Sequence, residues 1–161
     1  MIIPLDSRPE EAAALGRLVG HWGSVEFELQ CLLGTLLGID TQKAELVYQS
    51  FVSADSKIIL LRRLNSQFTL NEAIKEKAEK LLSAAKELNT ERNKYIHSLW
   101  GFDESGTLIK FVGFLTNNYK TEHPPAELTA SDIQIVVDKM HKLSSELCQV
   151  QTELQLSKQA Q

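Results

Sequence analysis

With 161 residues, 43% of them hydrophobic and 24% charged, the chain carries the apolar material of one ordinary globular domain, one that buries roughly two-thirds of its unfolded surface. A net charge of −4 gives no domain-wide positive field toward nucleic acid or acidic lipid. Screening confines such fields to about 10 Å, so a local basic patch remains able to hold a polyanion.

The first residues, MIIPLDSRPEEA, are too short an apolar run and too acidic for a signal peptide. The first helical pattern follows. Leu15, Leu18, Trp22, Val25, Leu29, Leu32 and Leu36 step by three and four, which keeps all seven on one stripe of a 3.6-residue helix. Pro9, Glu10 and Glu11 suit its first turn, where proline's missing N–H costs nothing and acids meet the positive helix end. Gly38 and Asp40 end it. Gly16, Gly20 and Gly23 lie beside the stripe at a cost of about 1 kcal/mol each relative to alanine, which predicts a close backbone approach from another helix or from a second chain. The polar Glu26, Glu28 and Gln30 interrupt this segment, so no stretch reaches the roughly 18 apolar residues of a membrane span.

Two shorter helices are predicted around residues 41–52 and 55–68, with Asp55 as the cap between them. A longer pattern starts from a cap at Asn71: Ile74, Ala78, Leu81, Ala85, Leu88, Arg92, Tyr95 and Leu99. Arg92 stands where a leucine is expected. Residues 100–114 alternate apolar and polar around Asp103-Glu104-Ser105-Gly106, the pattern of a small β-hairpin. Thr116 to Glu127, with Pro124 and Pro125, is a predicted loop. The last helix starts at Thr129 or Ser131 and carries Ile133, Val136, Met140, Leu143, Leu147, Val150 and Leu154, with a polar, frayed end beyond about residue 156. The fold class is all-α: an up-and-down bundle of about five helices with one hairpin, in a single domain ordered over about residues 9–156.

Most site chemistries find no residues here. The chain has no Gly-rich phosphate loop after a strand, no HExxH and no paired ExxH. Cys31 and Cys148 lack CxxC spacing, which argues against a zinc site and predicts buried free thiols in a reducing, cytoplasmic setting. Asp138 and His141 share a helix face without a second acid–histidine pair, so no metal and no cofactor is expected. His21 and His123 are isolated and fit surface or capping roles. Lys57, Arg62 and Arg63 form either a solvated face or a source of phosphate contacts.

The remaining motif is ERNKYIHSLW, Glu91 to Trp100. Metal-free RNA cleavage needs one group to take the 2′-hydroxyl proton, one to protonate the 5′-oxygen, and positive charge on the phosphorane. His97 is an acid or base suited to neutral pH, Arg92 can fork onto two phosphate oxygens, and Asn93, one turn before His97, can orient its ring. Lys94 and Tyr95 are candidate substrate contacts; Tyr95 either stacks on a base or fills the core. Arg92-Asn93-Lys94-Tyr95-Ile96-His97 resembles the Arg, polar residue, three others, His signature of HEPN domains. That resemblance implies an all-α bundle that dimerises, with the motif near the C-terminal end of a long helix. It further implies a metal-independent endoribonuclease, toxin-like and restrained by a cognate antitoxin protein. Five residues along a helix is about 140° of rotation, so Arg92 and His97 do not share a face. A two-fold dimer that pools two Arg–His sets in one cleft relieves this. Two other readings stand beside the nuclease. Arg92 can cover the bundle end and pair with Glu26 or another acid while His97 caps the helix; or the domain is a non-catalytic module that binds nucleotide or protein.

Overall fold

The computed structural model describes residues 8–97, 99–102, 108–111 and 129–159. They form α1 (Pro9–Leu37), α2 (Thr41–Gln49), α3 (Ala54–Phe68), α4 (Glu72–Ile96), β1 (Leu99–Phe102), β2 (Leu108–Phe111) and α5 (Ala130–Gln159). β1 and β2 pair antiparallel, Leu99 opposite Phe111 and Phe102 opposite Leu108. The turn Asp103-Glu104-Ser105-Gly106 and the loop from Thr116 to Glu127 lie outside the described residues. None of the described helices is long and apolar enough to cross a membrane.

The helical stripes read from spacing are the buried ones. On α1, Leu18, Trp22, Val25, Leu29, Leu32 and Leu36 are buried, with Leu15 half-buried. On α5 all seven predicted positions, Ile133 to Leu154, are buried. On α4, Ala78, Leu81, Ala85 and Leu88 are buried, whereas Arg92 and Tyr95, which continue the same series, are half-exposed. The fully buried face of α4 therefore gives out after Leu88, about two turns before the helix ends at Ile96.

The helix ends have specific causes. Gly38 takes φ +67°, a left-handed conformation that side chains with a Cβ disfavour, and the Ile39 N–H donates back to Gly34 O at 3.0 Å. Asp40 then caps α2, accepting from Lys43 N at 2.9 Å. The cap of α3 is Ser53, which accepts from Ser56 N at 3.1 Å; Asp55, expected in that role, lies in the helix's first turn. α2 also stops three residues earlier than the apolar pattern suggests, at Gln49, because Ser50 to Ser53 form the turn that supplies this cap. Asn71 accepts from Ile74 N at 3.2 Å at the start of α4.

At the start of α5, Thr129 Oγ1 accepts from Asp132 N at 3.2 Å, while Asp132 Oδ2 accepts from Thr129 N at 2.9 Å and from its hydroxyl at 2.8 Å. This reciprocal box holds the Asp132 carboxyl below its ordinary value, through the backbone bond first and the hydroxyl second. A lowered folded pKa means that the box stabilises above the unfolded value of about 3.9 and that this contribution is lost as pH falls through the folded pKa. Asp132→Asn is expected to lower stability at pH 7, and the gap from the parent should close on acidification below about pH 4. A gap in urea midpoint that stays constant from pH 7 to pH 2.5 would overturn this account.

The chain divides into two compact units, Met1–Gly20 with Thr90–Asp138, and His21–Asn89 with Lys139–Gln161. In the first, Arg17 Nε donates to Gln134 Oε1 at 2.9 Å, and Gln134 Nε2 donates to Asp138 Oδ1 at 2.8 Å. The second is a helical bundle tied by polar clasps. Gln151 Nε2 donates to Glu28 O and Glu28 Oε2, each at 2.9 Å, and Lys158 Nζ donates to Thr35 O at 2.7 Å and Leu36 O at 3.1 Å. Residue numbers rise together in these pairs, so α1 and α5 run parallel there. Lys158 satisfies C-terminal carbonyls of α1, which holds α5 helical to Gln159, past the end expected near residue 156.

Between α3 and α4 the numbers run in opposition: Arg62 Nη2 to Ser83 Oγ at 2.6 Å and Asn65 Nδ2 to Lys75 O at 3.0 Å. α2 reaches α1 at Gly34, where an added Cβ would lie 3.2 Å from both Ala44 Cβ and Ile39 O. Gly16, Gly20 and Gly23 behave otherwise. Among the described residues nothing lies within 4 Å of a Cβ built there, so none of the described helices makes the close approach they suggested.

Candidate functional site at the end of α4

Residues 91–97 occupy the last turn and a half of α4 and its exit. The helix runs to Ile96, and the His97 N–H still donates to Asn93 O at 3.1 Å, so His97 is held in one further turn. Its side chain is exposed. Arg92 is half-buried and its Nη1 donates to Asn93 Oδ1 at 3.0 Å. The asparagine amide oxygen is thus committed to the guanidinium. Among the described residues no hydrogen bond joins the Asn93 amide to the His97 ring. Lys94 is exposed and Tyr95 half-buried.

The Tyr95 phenol is pushed up from its ordinary value, by burial first, then by the carboxylates of Asp132 and Glu91. It stays protonated at neutral pH and can donate a hydrogen bond, not act as a base. Arg92 stands at the leucine position where the apolar stripe has ended; it is half-buried, with its Nη1 on Asn93 Oδ1. Glu26, one sequence-based partner for Arg92, is instead paired with Lys57 at 3.3 Å.

The Lys57, Arg62, Arg63 cluster is not a shared patch. Lys57 is buried, 3.3 Å from Glu26 Oε1 and 4.3 Å from the centroid of the Tyr48 ring. Arg62 Nε lies 2.9 Å from Glu79 Oε1, and Arg63 is exposed. A cavity of about 400 Å³ between α3 and α4 is lined by Arg62, Asn65, Lys75 and Glu79 among others, and by none of residues 91–97. The thiols depart from expectation too. Cys31 is half-buried, its thiol pushed up by burial, then by Glu28 and Cys148, whereas Cys148 is exposed at the polar edge of the α5 stripe.

Sequence reasoning missed one pairing. His21 is not isolated: its ring meets that of His141 edge-on, centroids 5.7 Å apart and planes at 88°. The two lie 120 positions apart, so only the alignment of α1 with α5 brings them together. His123 lies outside the described residues. Among the described residues no three His, Cys, Asp or Glu side chains gather as a metal-binding group. Compared with protein families, curated proteins and solved structures alike, the chain finds no match.

Proposed function

We propose that this chain is a HEPN-like, metal-independent endoribonuclease that acts as a homodimer and leaves 2′,3′-cyclic phosphate ends, in a toxin-like or defence role restrained by a cognate antitoxin protein. The observation that carries the reading is the arrangement at the end of α4. An exposed histidine follows the last helical residue, about one and a half turns beyond an arginine whose Nη1 is bonded to Asn93. In this reading His97 moves the proton, Arg92 stabilises the phosphorane, and Asn93 acts through Arg92 as a positioning residue. Lys94, exposed beside them, meets the RNA backbone, and Tyr95 donates its retained proton to substrate. A second chain supplies the other Arg–His set, because one helix presents the two groups about 140° apart.

The test is cleavage of a labelled RNA by purified protein in excess chelator, with the 3′ ends examined for cyclic phosphate. Cleavage with cyclic ends supports the proposal; intact RNA at protein concentrations that saturate binding overturns it.

The half-burial of Arg92 and its bond to Asn93 favour a second reading, a non-catalytic dimer that binds nucleotide or protein. Under it Arg92→Ala lowers the thermal midpoint as its main effect. Under the nuclease reading the thermal midpoint moves little and cleavage is lost.

A further inference from the structure

We propose that His21 and His141 form a two-imidazole clamp for a divalent late first-row metal ion, Ni²⁺ or Zn²⁺ in class, bridging α1 and α5. The ring contact itself is the first ground. Imidazole nitrogen binds such ions at about 2.1 Å, which puts each ring centroid about 3.2 Å from the ion and allows two centroids up to about 6.4 Å apart. The observed 5.7 Å falls inside that limit. Only the ring tilt must change. The edge-on geometry turns one ring's edge toward the other's face, and rotation about the last torsion, broad for histidine, is the movement that turns a nitrogen of each ring to one shared ion.

The backbone is the second ground. Two donors chelate well when their carriers are already fixed, and α1 and α5 are locked side by side by Gln151 on Glu28 and Lys158 on Thr35 and Leu36. Access is the third. His21 is half-buried and His141 exposed, so water completes the coordination sphere and the ion enters from solvent. With two imidazoles and water, the ligand set suits Ni²⁺, Cu²⁺ and Zn²⁺ and disfavours Mg²⁺ and Ca²⁺, which take oxygen donors.

The charged surroundings permit a cation. Lys139 and Lys142 flank His141 in sequence and are exposed, where solvent screens them. The clamp is independent of the proposed nuclease, which uses neither histidine and no metal.

Calorimetric titration of the full chain with NiCl₂ at pH 7.5, paired with thermal melts, tests it. One ion per chain is expected, with a rise in Tm of about 5 °C once the ion is well above its dissociation constant. His21→Gln and His141→Gln should each weaken binding on the order of tenfold or more, since each removes half of the protein ligands. A double His97→Gln, His123→Gln variant should bind as the parent does. MgCl₂ should give no heat. Circular dichroism of each variant confirms that the helices persist, and a variant that unfolds is replaced by its asparagine counterpart. Parent-like binding in the His21 and His141 variants, or loss of binding in the His97/His123 variant, overturns the clamp.

Discussion

Under the proposed nuclease mechanism, His97→Ala is expected to lower RNA cleavage by about 10²–10⁴-fold, the range in which a positioned proton-transfer group contributes, while circular dichroism and melting stay at parent values. The structural half of that expectation rests on where His97 sits. Its ring is exposed and follows the last residue of α4, and the bond it makes into the helix comes from its backbone N–H, which alanine keeps. Nothing buried is opened by the substitution. Arg92 separates the roles further. Arg92→Lys keeps the charge but not the planar fork that binds two phosphate oxygens, so cleavage should fall much more than RNA binding does.

Mixing subunits then tests the shared cleft. If two His97 rings, one base and one acid, serve one cleft, equal amounts of parent and His97→Ala chain that exchange freely give about one quarter of parent activity. If each chain works alone, the mixture keeps about one half. A result of one half removes the composite site while leaving the histidine's role in place. Unchanged cleavage in pure His97→Ala removes the mechanism.

How much of this was readable without coordinates varies by residue for physical reasons. The long helices were legible because burial against a core forces the three-and-four spacing, and every predicted position of α5 is buried. Caps were legible where one side chain dominates, as at Asn71, and misplaced where two neighbours compete. Ser53 and Asp55 both suit a cap, and the chain uses the serine, leaving the acid to favour the positive end of α3 from its first turn.

Pairings distant in sequence were not legible. Lys57 looked like part of a basic cluster because local sequence shows Arg62 and Arg63 but not Glu26 and Tyr48. The contact of His21 with His141 has the same origin. The motif itself stood out as a break in the leucine series, and the coordinates give that break a cause, the end of the apolar stripe after Leu88. Its chemistry still rests on residue type and position, with Asn93 turned to Arg92 where the sequence suggested His97.

Lys57→Ala destabilises the second unit by about 3 kcal/mol, and the cause is packing more than charge. Lys57 has a 9% exposed side chain, and its methylene stem buries apolar surface worth about 0.8 kcal/mol per CH₂. The ammonium over the Tyr48 ring adds about 0.5–2 kcal/mol. The ion pair with Glu26 adds less than its 3.3 Å separation suggests, because the Glu26 side chain is 36% exposed and solvent screens it, leaving about 1 kcal/mol or below. Lys57→Met keeps most of the stem and drops the charge. It should therefore cost about 1 kcal/mol, well under the alanine variant, since Glu26 can turn to water.

Lys57→Glu has the largest effect. It buries a carboxylate beside Glu26 and against the negative face of the Tyr48 ring, for a loss above about 4 kcal/mol at pH 7. Two neighbouring carboxylates cannot both stay ionised cheaply, so the charge-reversed chain should regain stability as pH falls toward 5, when one of them takes a proton. Urea unfolding of the three variants at pH 7 and pH 5 orders these contributions. A methionine variant as unstable as the alanine one would make the ion pair, not the buried stem, what holds α3 against α1. A charge-reversed variant indifferent to pH would mean that its new carboxylate had left the core.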